Sequence, residues 1–290
     1  MLNKGSLLVL IGALCFSGTG TVQALAPQGA TPYVIGAVRM LVGGGILFFW
    51  CAMRNILPRV YEWSSRQILC LVLPSSLALV GYQICFFCGV QKTGVAVGTV
   101  AAIGFSPIAV AVLGRLFLGE KPAKVWYVST ALAISGLILL NYQGADAGEG
   151  GFSLLLPLSA GFCYACYYVL SKPLVRKYES ESVMMVICLM SAFWMLPVFL
   201  LFPAEWLLTS SGILVALYLG AITTALAFSL TLAGLRSTPA ATAATLGLGE
   251  PLGAACLGIF FLHEHITASM IFAMLLMLTG VLLLAFSPRK

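Results

Sequence analysis

Long apolar runs make up most of the chain, and short polar breaks separate them. A membrane-spanning helix needs about 20 mostly apolar residues, and the pattern predicts ten such helices. The breaks contain Pro, Gly or charged residues, as loops do, and the runs do not alternate as the strands of a membrane β-barrel would. The predicted helices cover residues 6–25, 32–53, 67–90, 93–117, 124–142, 151–171, 182–202, 211–234, 237–262 and 266–286.

The composition agrees with a polytopic membrane protein. Of the 290 residues, 61% are hydrophobic and 8% are charged, whereas a soluble domain carries about 25% charged residues. A soluble enzyme, a secreted disulfide scaffold and a disordered protein are therefore excluded. The net charge of +6 does not indicate nucleic-acid binding, because Lys and Arg are scattered over short loops and form no basic face.

The N-terminal segment has features of a secretory signal peptide. Lys4 precedes an apolar stretch, and Ala24-Leu25-Ala26 resembles a cleavage site. Cleavage would leave nine helices. We predict an uncleaved first helix, because a similar segment recurs later in the chain.

Basic residues lie mainly on one side of the predicted topology. With a cytoplasmic N-terminus, the opposite side holds Lys92, and Arg39 lies within a helix. The positive-inside rule then predicts a multi-pass inner-membrane protein with both termini in the cytoplasm. The predicted cytoplasmic residues are Lys4, Arg54, Arg59, Arg66, Arg115, Lys121, Lys124, Lys172, Arg176, Lys177, Arg236, Arg289 and Lys290.

The two halves of the chain repeat each other. At one offset, Pro107 matches Pro251, Gly114 matches Gly258, Glu120 matches Glu264 and Gly136 matches Gly280. Near the start of each half, GALCFSG resembles AGFCYAC, with Cys15 over Cys163. We therefore predict two five-helix units, residues 1–142 and 151–290, joined by an extracytoplasmic linker at 143–150.

An odd number of helices in each unit makes the units inverted copies. The first begins inside and ends outside, and the second does the reverse. Inverted repeats are the architecture of many secondary transporters, whose substrate site lies between the repeats. The predicted fold class is thus an all-α integral membrane protein with ten helices in two inverted repeats.

At this point the chain resembles a known family, the EamA-type members of the drug/metabolite transporter superfamily. The resemblance rests on the repeat, on a proline-bearing fourth helix that ends in Leu118-Gly119-Glu120, and on Pro32 through Arg39 in the second helix. The second copy departs from it with Leu262-His263-Glu264. The resemblance implies a secondary transporter, often an exporter of amino acids or other small metabolites. It also implies a cavity built by the first, third, fourth, sixth, eighth and ninth helices.

Two charged residues inside predicted helices are candidates for function. A carboxylate in the hydrocarbon costs at least about 2.5 kcal/mol unless it faces protein or water, so Glu250 is a candidate for proton coupling or for contact with a cationic group. The alternative is a Glu that satisfies backbone groups freed by Pro251. Arg39 is a candidate for structural pairing or for contact with a substrate carboxylate.

Matched helix interruptions and polar side chains complete the candidate site. Pro107 and Pro251 remove a helical hydrogen bond at equivalent positions, and such interruptions mark a transporter's central site. The alternative for each candidate is helix packing. The candidate cavity residues are Thr19, Gln23, Tyr82, Gln83, Ser106, Tyr164, Tyr168, Thr223, Thr224, Phe228 and Glu250.

We predict no cofactor and no metal site. Cys85/Cys88 and Cys163/Cys166 have CxxC spacing, but they lie in apolar runs without zinc-ligand surroundings, and helix packing is favoured. His263 and His265 flank Glu264 without a further evident ligand.

The sequence and the resemblance together predict a secondary transporter that exports an amino acid or similar small metabolite. No GxxxxGK[ST] motif occurs, so the sequence predicts no ATP-binding domain. A uniporter, a proton-coupled carrier and an efflux carrier for drugs or organic cations remain open. A channel is disfavoured, because the sequence contains no repeated filter-like segment. An intramembrane enzyme is disfavoured as well, because Glu250 has no second acidic residue at membrane depth to pair with.

Overall fold

The computed structural model describes residues 3–58, 63–141, 151–261 and 267–287, and in this part of the chain all regular structure is helical. Ten long helices follow one another, with short 3₁₀ turns at Gly151–Leu154 and Glu205–Leu208. The ten are α1 Lys4–Ala24, α2 Pro32–Met53, α3 Ser65–Thr93, α4 Val95–Leu118, α5 Lys124–Asn141, α6 Leu155–Lys177, α7 Ser180–Met195 with a further turn Val198–Leu201, α8 Ser210–Ser237, α9 Ala240–Leu246 with Gly249–Phe261, and α10 Ala268–Ala285.

Local sequence signals set several helix ends. The Thr31 side chain accepts a hydrogen bond from the Val34 N–H, and Pro32 occupies the first turn of α2, where no N–H is needed. Ser64 and Gln67 form a reciprocal capping box at the start of α3. Gly119, with φ +67°, ends α4 in the left-handed conformation that glycine adopts at little cost.

The central helices of the two repeats pack on each other in opposite directions. On α2 and α7, Gly44 lies against Cys188 and Leu189, while Cys51 approaches Ser182 at the other end of the contact. Residue numbers rise along one helix as they fall along the other, so the two helices are antiparallel. A two-fold axis perpendicular to the helices requires this arrangement.

The same relation holds for the last helix of each repeat. Gly136 on α5 packs against Met277 on α10, and its repeat partner Gly280 packs against Ser129 and Ala133 on α5. Each glycine lets the facing backbone approach closely. Two matched glycines thus make reciprocal contacts, as expected of inverted repeats.

Contacts at the periphery are also duplicated. Gly234 on α8 packs against Val9 on α1, and Gly89 on α3 packs against Pro157 on α6. In the repeat, α1 corresponds to α6 and α3 corresponds to α8. The interface between α1 and α8 is therefore a second copy of the interface between α6 and α3, which supports the predicted fold of two inverted five-helix units.

The two repeat prolines have different effects. The α4 helix continues through Pro107, because the Ser106 hydroxyl donates to the Ile103 carbonyl that the proline leaves free. By contrast, α9 is interrupted at residues 247–248. There the Gly247 carbonyl accepts a hydrogen bond of the 3₁₀ type from the Glu250 N–H, three residues later. Both prolines thus leave a carbonyl without its helical N–H partner, but the expected break in the helix accompanies only Pro251.

Most helices expose apolar side chains to the surroundings, as a bilayer requires. Nine of the helices in the described residues are long and apolar enough to span a membrane. The exception is α6, Leu155–Lys177, whose serines, tyrosines and Lys172 lower its apolarity. Its Tyr167, Tyr168 and Lys172 are buried against neighbouring helices, so protein rather than lipid surrounds these polar groups.

One boundary changes the interpretation of a charge. The sequence pattern predicts that the sixth helix ends at residue 171 and that Lys172 lies in a loop. The structure continues α6 to Lys177, and Lys172 is only 1% exposed. A single lysine at the end of an apolar run does not reveal burial, because its partner lies in a distant segment of the chain.

The close contact of α5 with α10 yields a stability prediction. A Cβ on Gly136 would lie 2.6 Å from the Ala273 carbonyl oxygen and 2.8 Å from the Met277 nitrogen. Because these are backbone atoms, α10 would have to shift, and overpacking typically costs about 1–3 kcal/mol. We expect Gly136→Ala to lower the midpoint of thermal unfolding in detergent.

Gly45→Ala is the matched control, because no atom lies within 4 Å of its added Cβ. Replacing Gly by Ala in a helix otherwise favours the helix by up to about 1 kcal/mol, so this variant should keep or raise the midpoint. Equal midpoints for the two variants would contradict the described contact.

Candidate functional site: a central cavity with one closed end

A cavity of about 830 Å³ lies between the two repeats. It is lined mainly by α1, α2, α3, α4, α6, α8 and α9, with α5 and α10 contributing near one end. The resemblance implies the first, third, fourth, sixth, eighth and ninth helices, and α2 is added to them through Arg39 and Met40. The lining of the cavity contains charged, amide, hydroxyl and aromatic side chains.

The cavity extends from the middle of the bundle to one of its ends. Exposed Ala24 and Gln91 line it at the last turns of α1 and α3, and Asn141 lines it at the last turn of α5. We call this the open end. At the opposite end, where α1 begins and α8 finishes, no described residue contributes to the lining; we call this the closed end.

Arg39 is held in place by an irregular turn of α8. Residues Ala221–Leu226 form a π-helical turn, and such turns leave backbone carbonyls available. The Arg39 guanidinium donates from Nη2 to the Thr223 carbonyl and from Nε to Thr224 Oγ1, both at 3.1 Å. Thr224 in turn donates to the Leu219 carbonyl. The side chain that lines the cavity is therefore fixed from behind.

Glu250 lies across the cavity on the second segment of α9. The Gly247 carbonyl freed by Pro251 is satisfied by the Glu250 backbone N–H, and the Glu250 carbonyl accepts from the Ser17 hydroxyl at 2.9 Å. The described hydrogen bonds and ion pairs leave the Glu250 carboxylate unpartnered. The structure thus opposes the alternative that this side chain serves the broken backbone.

Aromatic side chains form much of the remaining wall. The rings of Tyr82 and Tyr164 are 5.1 Å apart, and Phe86 stacks on Tyr82 at 5.8 Å. On another side, Phe16 and Phe228 meet edge to face at 4.7 Å. Offset and edge-to-face pairs are the favoured arrangements of such rings, so these walls form a pre-organised apolar surface.

The structure brings most of the predicted site residues together. Those lining the cavity are Thr19, Gln23, Tyr82, Gln83, Ser106, Tyr164, Phe228, Glu250 and Pro251.

Four candidates lie behind the lining. Tyr168 is 1% exposed and accepts a hydrogen bond from Tyr164, which stands between it and the cavity. Thr223 and Thr224 are fully buried, because their hydroxyls turn back to the Leu219 carbonyl. Pro107 is also outside the lining. For Tyr168, Thr223 and Thr224 the expected cavity contact is corrected to packing or to support of Arg39, whereas Pro107 was predicted as a helix interruption and not as a cavity contact.

An ion cluster stands at the closed end, formed by Glu120, Lys172 and Arg176. Lys172 Nζ lies 2.5 Å from Glu120 Oε1, and Arg176 Nη2 lies 3.2 Å from the same oxygen. The other oxygen, Oε2, accepts from the Ala240 N–H at 2.7 Å, and Lys172 donates to the Thr238 carbonyl at 2.6 Å. One carboxylate therefore ties together α4, α6 and the start of α9.

The turn after α4 aims this carboxylate. Gly119 is in the left-handed conformation that glycine often adopts after the end of a helix, and the Glu120 N–H donates to the Gly114 carbonyl at 3.1 Å. The Leu118-Gly119-Glu120 sequence thus has a structural role. Gly119 turns the chain at the end of α4, and this turn places the Glu120 carboxylate next to Lys172. Its repeat copy, which includes Glu264, lies outside the described residues.

Other predicted chemistry can also be placed. All nine cysteines are free thiols. Within the ranges that the structure describes, no group of three or more His, Cys, Asp or Glu side chains comes together. His263 and His265 lie outside those ranges.

Comparison with known proteins identifies the family. Residues 3–142 and 151–286 each match the EamA-like transporter family. The chain is 37% identical to the uncharacterized transporter YwfM of Bacillus subtilis, over 99% of this chain and 96% of the relative. It is 30% identical to the threonine/homoserine exporter RhtA of Escherichia coli, over 89% and 82%. A crystal structure of a protein with 16% identity superposes with a TM-score of 0.85 over 99% of both chains, which shows the shared fold. The chain is a multi-pass membrane protein and a member of the EamA-like transporter family of the drug/metabolite transporter superfamily.

Proposed function

We propose that this protein is a secondary transporter that exports an amino acid or a similar small metabolite by alternating access. The observation that carries the proposal is one cavity, open at one end and closed at the other, between two inverted repeats. Duplicated interfaces support the alternating step. Because α1–α8 and α6–α3 have equivalent contacts, exchange of the two arrangements would open the opposite end at similar energy.

The distribution of basic residues supports a direction. Exposed Arg54, Arg66, Arg115 and Lys121 lie at the closed end, whereas Lys92 lies at the open end. The positive-inside rule then places the closed end and both termini in the cytoplasm of an inner membrane. The state described here is thus outward-open, the state from which an exporter would release its substrate. The name of the Escherichia coli relative, a threonine/homoserine exporter, favours the same direction.

A second candidate is efflux of organic cations. Aromatic walls attract organic cations, and Glu250 adds a negative charge to the same cavity. Arg39 opposes this candidate, because a bound cation would meet a fixed positive charge. Uniport and proton coupling through Glu250 are alternative energetics for the same carrier.

Orientation is tested by reporter fusions. With both termini in the cytoplasm, we expect alkaline phosphatase fused after Lys290 to be inactive in intact bacterial cells and a green fluorescent protein at the same place to fluoresce. The reverse pattern at Lys290 would contradict the proposed orientation.

Transport is tested with purified protein in liposomes. We expect uptake of a radiolabelled amino acid mixture to saturate and to be accelerated by the same unlabelled mixture inside, because a carrier returns faster when loaded. Protein-free liposomes are the control. Unsaturable flux without acceleration would contradict a carrier and favour a channel, and no flux of amino acids with flux of organic cations would favour the second candidate.

The ion cluster supplies a test of the closed end. Lys172 is buried while Arg176 is about half exposed, although both contact the same Glu120 oxygen. Removing one partner of a buried pair typically costs about 3–5 kcal/mol, whereas an exposed pair contributes about 0–1 kcal/mol. We expect Lys172→Met to loosen the closed end and to lower exchange transport, and Arg176→Gln to have little effect.

Hydrogen exchange followed by mass spectrometry measures this loosening. In Lys172→Met, peptides covering residues 114–120 and 238–246 should exchange faster, because the Ala240 N–H loses its ordered acceptor. Peptides from α5, which the cluster does not touch, are the internal control. Equal protection in the two variants would contradict a sealing role for the buried pair.

A further inference from the structure

Arg39 and Glu250 carry opposite charges in one cavity without forming an ion pair. Both line the cavity and are partly buried. The ion pairs of the described residues, which extend to 4.0 Å, do not join them. Both side chains therefore line one cavity without a direct ion pair between them.

Neither charge belongs to the repeated scaffold. The position equivalent to Glu250 is Ser106, whose hydroxyl bonds to its own helix. At the offset that aligns Cys15 with Cys163, the position equivalent to Arg39 is Ile187, which is fully buried. Each half has thus acquired one charge of opposite sign, and the fold brings both to the same cavity.

An unpaired charged group at this depth is costly unless a polar or oppositely charged partner compensates it. A charged group within the hydrocarbon region costs at least about 2.5 kcal/mol. Arg39 uses Nε and Nη2 on α8, but its Nη1 makes no hydrogen bond to any described residue. Glu250 likewise offers its carboxylate oxygens to the cavity. A ligand with a carboxylate and an ammonium group would satisfy both.

We propose that the cavity recognises the zwitterion of an α-amino acid with an apolar side chain, through its carboxylate on Arg39 and its ammonium on Glu250. This inference rests on the proposed transport function and specifies the substrate class. The side chain would lie on the aromatic walls, which include Tyr82, Tyr164, Phe16 and Phe228. Because Ser17 ties the Glu250 backbone to α1, the carboxylate and the Phe16 wall stay together.

The two charges select against simpler ligands. An amine without a carboxylate would pair with Glu250 and leave the guanidinium unpaired, and a carboxylate without an amine would do the reverse. Sites built for a polar group reject analogues that lack it, because their own buried polar group loses its partner. The zwitterion is therefore the ligand class that leaves neither charge uncompensated.

Three probes of one shape test this inference. L-phenylalanine has both charged groups, 2-phenylethylamine lacks the carboxylate, and 3-phenylpropanoate lacks the amine. In binding of radiolabelled L-phenylalanine to the purified protein, we expect each analogue to compete about 10- to 100-fold more weakly than L-phenylalanine itself, as loss of a charge-assisted hydrogen bond implies.

Each of two variants should remove one of these two preferences. In Arg39→Gln, L-phenylalanine should lose its advantage over 2-phenylethylamine. In Glu250→Gln, it should lose its advantage over 3-phenylpropanoate. If either residue had a purely structural role, its variant would bind all three ligands more weakly by a similar factor. That result would overturn the inference for that residue. The matched controls Arg115→Gln and Glu205→Gln change exposed charges outside the cavity and should keep the wild-type order.

The outcomes separate this inference from the proposed function. If amino acid exchange occurs in liposomes but the three probes compete equally, the charge recognition is wrong and the transporter stands. If L-leucine and L-phenylalanine fail to bind while threonine binds, the apolar side-chain preference is wrong. If the exchange assay itself shows no carrier, the proposed function fails.

Discussion

A charged group inside a bilayer is costly unless protein, water or a ligand compensates its charge, and this constraint determines where the charged residues of the protein lie. Arg39 is completed on one side by the carbonyl and hydroxyl of an irregular turn on α8. Lys172 is completed by Glu120 and the Thr238 carbonyl. Glu250 faces the cavity without a described partner. The three charged groups thus lie in different settings: Arg39 is held at the cavity wall, Lys172 is paired at the closed end, and Glu250 faces the cavity.

The scaffold and the site follow opposite rules. The glycine contacts are duplicated, as between Gly136 with α10 and Gly280 with α5, because two arrangements of similar energy require two similar sets of interfaces. The charges are not duplicated, since Glu250 corresponds to Ser106 and Arg39 to Ile187. A substrate is itself asymmetric, so a site that recognises it has to break the symmetry of the surrounding repeats.

The sequence predicts the scaffold better than the site, for physical reasons. Apolar runs report helices directly, and the offset between Pro107 and Pro251 reveals the repeat. The π-helical turn of α8 that holds Arg39 has no such local signal. Neither does the burial of Lys172, whose partner Glu120 is distant in sequence. Tyr168 and Thr223 share helix faces with cavity residues, and rotation of the helix by its neighbours decides which side chain reaches the space.

The break in repeat symmetry extends to the ends of the bundle. At the offset that aligns the starts of the two halves, Lys172 corresponds to Ala24, and Arg176 corresponds to Gln28. At these two aligned positions the open end therefore lacks the basic residues that hold Glu120 at the closed end. An ion cluster built on the same aligned positions would therefore not form at the open end. Closure of the open end then depends on another source of stabilisation. A ligand that pairs with Arg39 on α2 and Glu250 on α9 would supply one, because it joins helices from the two repeats beneath that end.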